Sequence, residues 1–384
     1  MKNVFLSLST IFFVNLFFGS YAKPLNSSSD SSVKLPYFLG FVNLAGFEFG
    51  IDPWNSHPKP MPPSDKQIPH FVKQGVNIIR VPMAWELIQP QLSKELDSKV
   101  EAQFAAYIKK ITTSGTYAII DIHNYARNRG SVVTENIPSE AFVDLWVRLA
   151  KVFSSDKLVY FGLMNEPHDI QSWDAWTKSL QDVVTGIRKA GAKNVILLPG
   201  EQWSSLKTDI FTQSYQRLKT ITNPDKTFDG ISFEFHRYFD SDGSGKSTEC
   251  SGDRVEEVKA AAKILNADGR QAIITETGAG STQSCLQVLP KFFGAIKESY
   301  PAIAGGIMWG AGSFDTVPTY ELLLTKLITT SVNNLSFTLL TEFLTTFTFI
   351  LIEKIQQQSS EVYEDQENWK SIKQFLPKSS NSTQ

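Results

Sequence analysis

Glu166 and Glu276 are the residues in this chain best placed to do chemistry. Glu166 sits in Leu163-Met164-Asn165-Glu166-Pro167-His168 and Glu276 in Thr275-Glu276-Thr277-Gly278, each closing a short apolar run. Two carboxyl groups brought together can cleave a glycosidic bond. One protonates the departing oxygen, and the other attacks the anomeric carbon when the pair stands roughly 5–5.5 Å apart. The acid must hold its proton near working pH, which partial burial and a neighbouring carboxylate favour. The nucleophile must stay ionised, and a cation such as Arg80, in Ile79-Arg80-Val81-Pro82, favours that state. Asn165, directly before the acid, can donate to a sugar 2-hydroxyl.

These residues need elements to bring them together. From residue 37 the chain alternates short apolar runs with longer amphipathic stretches. The expected strands are Phe38–Leu44, Asn77–Val81, Tyr117–His123, Val159–Asn165, Val195–Leu198, Ile231–His236, Ala272–Glu276 and Gly305–Trp309. Nearly all are continuous apolar runs, as parallel strands buried on both faces require. Helices are expected over Ser139–Ser155 with Ser139 as N-cap, and over Ser172–Ala190, Asp253–Ala267 and Ser281–Tyr300. Gly191 and Gly269 fall where a left-handed C-terminal residue belongs, and Pro290 is expected to kink or split the last helix. Such alternation predicts an α/β fold, a TIM barrel or a doubly wound sheet. No G-x-G-x-x-G follows the first strand, which removes the main argument for a dinucleotide site.

The position of the polar residues favours the barrel. Arg80 ends the second strand, His123 and Asn124 the third, Asn165 and Glu166 the fourth, His236 and Tyr238 the sixth, Glu276 the seventh and Trp309 the eighth. In a barrel all strand ends meet at one mouth. Taken singly, Arg80 reads equally as an ion-pair partner, His123 as a hydrogen-bonded core histidine and Trp309 as a core plug. Taken jointly, chance placement at the same end of every strand does not account for them.

Composition narrows the setting. Hydrophobic residues make up 42 % and charged residues 20 %, as in a globular chain. The net charge of −2 gives no reason to expect nucleic acid or an anionic membrane as partner. Lys2, the apolar run Phe5–Phe18 and the small-x-small pattern ending at Ala22 predict a signal peptide over residues 1–22, hence a secreted, extracellular protein. Sequons at Asn26, Asn334 and Asn381 are then open to glycosylation. The only cysteines, Cys250 and Cys285, are expected to be bridged in an oxidising compartment. Two cysteines without a clustered histidine make a poor zinc site, so no metal is expected.

The strand-end motifs, together with Gly40-Phe41-Val42-Asn43-Leu44-Ala45-Gly46-Phe47-Glu48-Phe49-Gly50, Asp121-Ile122-His123-Asn124-Tyr125-Ala126-Arg127, Glu234-Phe235-His236-Arg237-Tyr238-Phe239-Asp240 and Met308-Trp309, resemble glycoside hydrolase family 5. The resemblance spans residues 37 to about 320, and the first motif and the His236–Gly245 segment are most similar to the fungal-type cellulases of that family. It implies a single-domain (β/α)₈ barrel and retaining endo-cleavage of β-1,4-glucan without cofactor or metal. It also implies Glu166 as acid/base and Glu276 as nucleophile. Arg80, His123, Asn124, Asn165, His236 and Tyr238 are implied as support, Trp309 as a sugar platform, and Cys250–Cys285 as a disulfide. β-Mannan, xyloglucan and β-1,3-glucan remain open as substrates, as does a non-catalytic carbohydrate-binding barrel. A monomer without membrane partner is expected.

The chain departs from the family pattern in two places. The loop Ile51–Pro63 lacks cysteines and is rich in proline. Beyond the barrel (residues 37–320, after a Ser-rich leader at 23–36), residues 321–360 form an atypical apolar stretch that reads as an insertion. Residues 361–384 follow as a last barrel helix with a polar tail, in which Trp369, Ile372 and Phe375 share a face.

Overall fold

The computed structural model describes residues 34–38, 41–50, 60–280, 282–312, 325–327, 362–364, 371, 372 and 375. Eight parallel strands form the central sheet: β1 (Phe41–Ala45), β2 (Ile78–Met83), β3 (Tyr117–Ile122), β4 (Val159–Gly162), β5 (Ile196–Pro199), β6 (Ile231–His236), β7 (Ala272–Thr277) and β8 (Ile303–Met308). Neighbours in sequence are neighbours in the sheet. The edges meet, because Ala311–Gly312 pairs with Leu44 and Ala45 of β1, and Phe38 bridges Gly305 with its amide donating to Ala304 O at 2.6 Å. Glycine is required at that seam. A Cβ on Gly305 would lie 1.9 Å from Phe38 O, so any side chain there would force the closing strands apart.

Among the described residues a helix of about two turns or more follows each of the first seven strands: α1 (Gln67–Lys73), α2 (Ser98–Thr113), α3 (Ser139–Phe153), α4 (Trp173–Lys189), α5 (Thr208–Leu218), α6 (Val255–Ala267) and α7 (Gln283–Glu298). Their apolar faces cover the strands. Phe142 of α3 stacks on Trp176 of α4 at 5.6 Å, and Trp146 of α3 donates its indole N–H to Leu163 O at 3.0 Å, so a fully buried ring keeps its polar atom paired. Ser172 caps α4, accepting from Ala175 N. Gly191 and Gly269 have φ of +90° and +64°.

Two expectations change in detail. Ser139 is the first residue of α3 with Pro138 as N-cap, and its hydroxyl donates to Ser179 Oγ on α4. Pro138 offers no side-chain acceptor to the first turn, where Ala141 N donates to Pro138 O at 3.0 Å. Helix α7 runs through Pro290 in one piece, since tertiary packing of Leu289, Phe292 and Phe293 holds the turn together.

Past β8, Thr325–Leu327 pairs antiparallel with Val362–Glu364. Ile372 is fully buried and the Phe375 ring lies 6.5 Å from that of Phe293. The expected signal peptide, the sequons, Trp369 and most of the 321–360 stretch fall outside the described residues. Among the described residues, no helix is long and apolar enough to cross a membrane.

Candidate active site

The mouth of the barrel is built around a fully buried cation. Arg80, on β2, donates from Nη1 to Glu276 Oε1 at 2.7 Å and to Asn43 Oδ1 at 3.0 Å. Its Nη2 donates to Asn165 Oδ1 at 2.8 Å and lies 3.0 Å from Asp121 Oδ1. A buried guanidinium is tolerable only when such partners replace its water. Asp121 in turn holds His123 through Nδ1 at 2.8 Å, and Asn165 Nδ2 donates to the free Nε2 at 3.2 Å. His123 also stacks on Trp309, with ring centres 5.1 Å apart and planes at 15°. The half-buried indole is therefore held flat against His123.

Strand β7 turns two consecutive side chains, Thr275 and Glu276, toward the inside of the barrel. Regular pairing sends alternate residues to opposite faces. Here the register jumps: Phe235 and His236 of β6 face Ile274 and Glu276, while Gly306 and Met308 of β8 face Ile274 and Thr277. The extra residue is a bulge, a device that re-aims side chains next to active sites. It turns Thr275 Oγ1 toward His236 Nε2 at 3.1 Å and leaves Glu276 at the mouth. Glu276 Oε2 accepts the Tyr238 hydroxyl at 2.9 Å. Tyr238 needs a glycine behind it. Gly245 has φ +74°, and a Cβ there would meet the Tyr238 ring at 2.7 Å.

Glu166 faces Glu276 from the fourth strand end. Its backbone is in the left-handed region at φ +43°, unfavourable for a non-glycine residue, and strain of this kind concentrates at functional sites. Oε1 of Glu166 lies 2.8 Å from His236 Nδ1. Burial pushes the Glu166 carboxyl up to about 7, against the opposing charges of His123, Arg80 and His168. Burial also pulls His236 down to about 4, so its ring is neutral near pH 7. A protonated acid beside a hydrogen-bonded carboxylate is what general acid and nucleophilic chemistry require.

Glu166, His236 and Glu276 each bring one ligand-type atom within 4.8 Å of the others, the only such group found among the described residues. Those atoms already bond to one another, to Tyr238 and to Arg80. The fixed charge of Arg80 also opposes a second cation, so the donor set suits proton transfer better than metal ligation.

From Glu166 a cleft of about 570 Å³ runs along Tyr125, His168, Trp203 and Lys207 to Lys246. Trp203, 46 % exposed, stacks on His168 with centres 4.6 Å apart and planes at 11°. Behind the cleft, Cys250 and Cys285 form the expected disulfide, with Cα atoms 5.0 Å apart. It ties the loop after β6 to α7.

These features meet in one known family. The model described as "Cellulase (glycosyl hydrolase family 5)" matches residues 41–311. The chain belongs to glycoside hydrolase family 5. As a family 5 chain it is 39 % identical to the manganese dependent endoglucanase Eg5A of Phanerodontia chrysosporium over 79 % of its own length and 81 % of the relative's. It is also 39 % identical to endoglucanase 1 of Saitozyma flava, over 80 % and 90 %. Among solved structures it is similar to Cel5A (EG2) from Hypocrea jecorina, with a TM-score of 0.75, 31 % identity and coverage of 88 % of this chain and 98 % of that one.

Within this family 5 barrel the structure gathers Arg80, His123, Asn165, Glu166, His236, Tyr238, Glu276 and Trp309 at one mouth. Asn124 stands one step back. Its amide accepts from Trp85 N and donates to Glu86 Oε2, so it holds the loop after β2 and leaves the cleft to others. Sequence reasoning gave no role to Asn43, Asp121, Tyr125, His168 or Trp203. For Asp121 the signal was available: it lies two residues before His123 and so shares its face of β3.

Proposed function

We propose that this chain hydrolyses β-1,4-glucan within the polymer and retains the anomeric configuration, with Glu166 as acid/base and Glu276 as nucleophile. The observation that carries the reading is the facing pair itself, with one oxygen of each carboxyl and His236 Nδ1 all within 4.8 Å. Inverting enzymes hold their carboxyls about 6.5–9.5 Å apart to admit a water between them. The kinship with endoglucanases supports the choice of substrate.

In the first step Glu276 attacks the anomeric carbon, the bond to the leaving oxygen breaks, and Glu166 gives that oxygen its proton. In the second, water attacks the glycosyl-enzyme ester, gives a proton to Glu166, and Glu276 leaves as carboxylate. Arg80 and Tyr238 hold one oxygen each of Glu276 and fix its approach. Trp309 offers a face to the sugar being cleaved. Trp203, on the side of the acid, offers one to the leaving chain.

The n-region, apolar run and Ala22 site support export of the enzyme. Following the product anomer by NMR during early cellopentaose hydrolysis tests retention: β-product first supports it, and α-product first refutes it. Assays on carboxymethylcellulose, mannan, xyloglucan and laminarin in parallel test the substrate. Faster cleavage of any of the other three overturns the β-1,4-glucan assignment.

A further inference from the structure

Beneath Glu166 a hydrogen-bonded line runs into the barrel core. Oε1 of Glu166 is 2.8 Å from His236 Nδ1, His236 Nε2 is 3.1 Å from Thr275 Oγ1, and Thr275 Oγ1 is 3.1 Å from Glu234 Oε2. Glu234 is on β6, two residues before His236, and is fully buried. Neither Thr275 nor Glu234 reaches the cleft, and neither takes part in the double displacement. We propose that Glu234 and Thr275 are positioning residues that fix the tautomer of His236 and thereby set the proton affinity of Glu166. The proposal rests on Glu166 being the acid/base.

The argument is one of proton counting. A threonine hydroxyl has one proton to donate, and a neutral imidazole has one between its two nitrogens. The direction of the bond at one end of the line therefore fixes every other. With Glu234 protonated, its hydroxyl donates to Thr275, Thr275 donates to Nε2, and the ring proton must sit on Nδ1. Nδ1–H then donates to Glu166 and stabilises its carboxylate. With Glu234 ionised the line reverses. Thr275 donates to Glu234, the ring carries its proton on Nε2, and bare Nδ1 accepts from a protonated Glu166.

The surroundings choose the first arrangement. Oε1 of Glu234 has no hydrogen-bond partner, which an ionised carboxylate tolerates far less than a neutral acid. The nearby cation, Arg80, directs Nη1 and Nη2 at Asn43, Asn165, Asp121 and Glu276, and its Nε–H, unpaired, makes no hydrogen bond to Glu234. Burial raises the proton affinity of Glu234 most, and the charges of Asp121 and Glu276 raise it further, against Arg80 and the hydrogen bond that Thr275 can donate to the ionised form. Glu166 itself is faced by Arg80, Asp121, His123, Tyr125, His168 and Glu276 besides His236. Those groups are common to every variant below, so a change in Glu166 isolates the line.

The function is chemical. Burial alone would make Glu166 a reluctant acid, and a permanent Nδ1–H donor stabilises the carboxylate left when the proton departs. The same donor holds that carboxylate ready to accept a proton from water in the second step.

Thr275→Val keeps shape and removes the hydroxyl. The basic limb of the kcat/KM profile, which reports the free acid, is expected to move up by about one pH unit, as loss of a bond to a charged group implies. Thr275→Ser is expected to return the limb to the wild-type position, and Glu234→Gln, neutral and able to donate, to leave it there. An unmoved limb in Thr275→Val, or a limb displaced equally in Glu234→Gln, overturns the proposal. Imidazole ¹⁵N spectra of wild-type protein give a reading independent of any variant: Nδ1–H is expected for His236, and Nε2–H overturns the proposal. Failure of the underlying assignment is separate, because it would appear as Glu166→Ala slowing good and poor leaving groups alike.

Discussion

Tyr238 donates its hydroxyl to Glu276 Oε2 at 2.9 Å, on the oxygen that Arg80 does not hold. The carboxylate is thereby anchored at both ends, and its plane is set before substrate arrives. Preorganised donors of this kind cost no rearrangement during the reaction.

Tyr238→Phe removes that donor while keeping the ring against Gly245. A hydrogen bond to a charged group is worth about 1.5–3 kcal/mol, so kcat is expected to fall roughly 10- to 100-fold. Steady-state kinetics on cellopentaose check it. An unchanged kcat would mean that Arg80 alone orients the nucleophile.

Loss of either carboxylate should leave a distinct signature. Glu276→Ala is expected to form no glycosyl-enzyme, and azide is expected to restore cleavage with an inverted glycosyl azide. Glu166→Ala is expected to slow cleavage most for poor leaving groups, because only those need the proton. Mass spectrometry of the trapped enzyme and a series of aryl cellobiosides separate the two. Exchange of the signatures between the variants would exchange the roles.

The acid has a cost in stability with a definite sign. Its folded pKa of about 7 lies above the ordinary 4.5, so folding favours the protonated form. The stabilising preference is complete below about pH 4.5 and is lost as pH rises through 7. Glu166→Gln is neutral at all pH values. It is expected to be more stable than wild type at pH 8, by on the order of 2–3 kcal/mol, and no more stable at pH 4. Urea denaturation at the two pH values measures this, and an equal effect at both would show that burial of the charge is not the cause.

Trp203 is held flat by His168 at the open end of the cleft. Trp203→Ala is expected to raise KM several-fold for long cello-oligosaccharides, in keeping with about 0.5–1.5 kcal/mol for a stacked ring. Hydrolysis of an aryl cellobioside, whose leaving group is too small to reach it, is expected to be unchanged. Equal losses on both substrates would place Trp203 in the framework and not in binding.

The sequence and the fold differ in what they make legible. The eight strands could be read because each is an apolar run between amphipathic helices, and the site because polar residues close those runs. Glu276 was read from its strand end, but the bulge that turns both Thr275 and Glu276 inward has no mark in composition. Glu234 stood in a recognised motif without a role, although its spacing from His236 put both on one face. Trp203 was missed for a conformational reason. It depends on positive φ at Gln202, Trp203 and Ser204, three residues whose types give no sign of it.

Arg80 touches Asn43 of β1, Asp121 of β3, Asn165 beyond β4 and Glu276 of β7. The residue that orients the nucleophile is therefore also a cross-brace of the cylinder. Parting the reacting groups therefore means breaking contacts that also link four strands. Amides around the two glutamates are expected to exchange with solvent only through whole-molecule opening. Heat should then silence the enzyme and melt it in a single event, with no folded but idle form between.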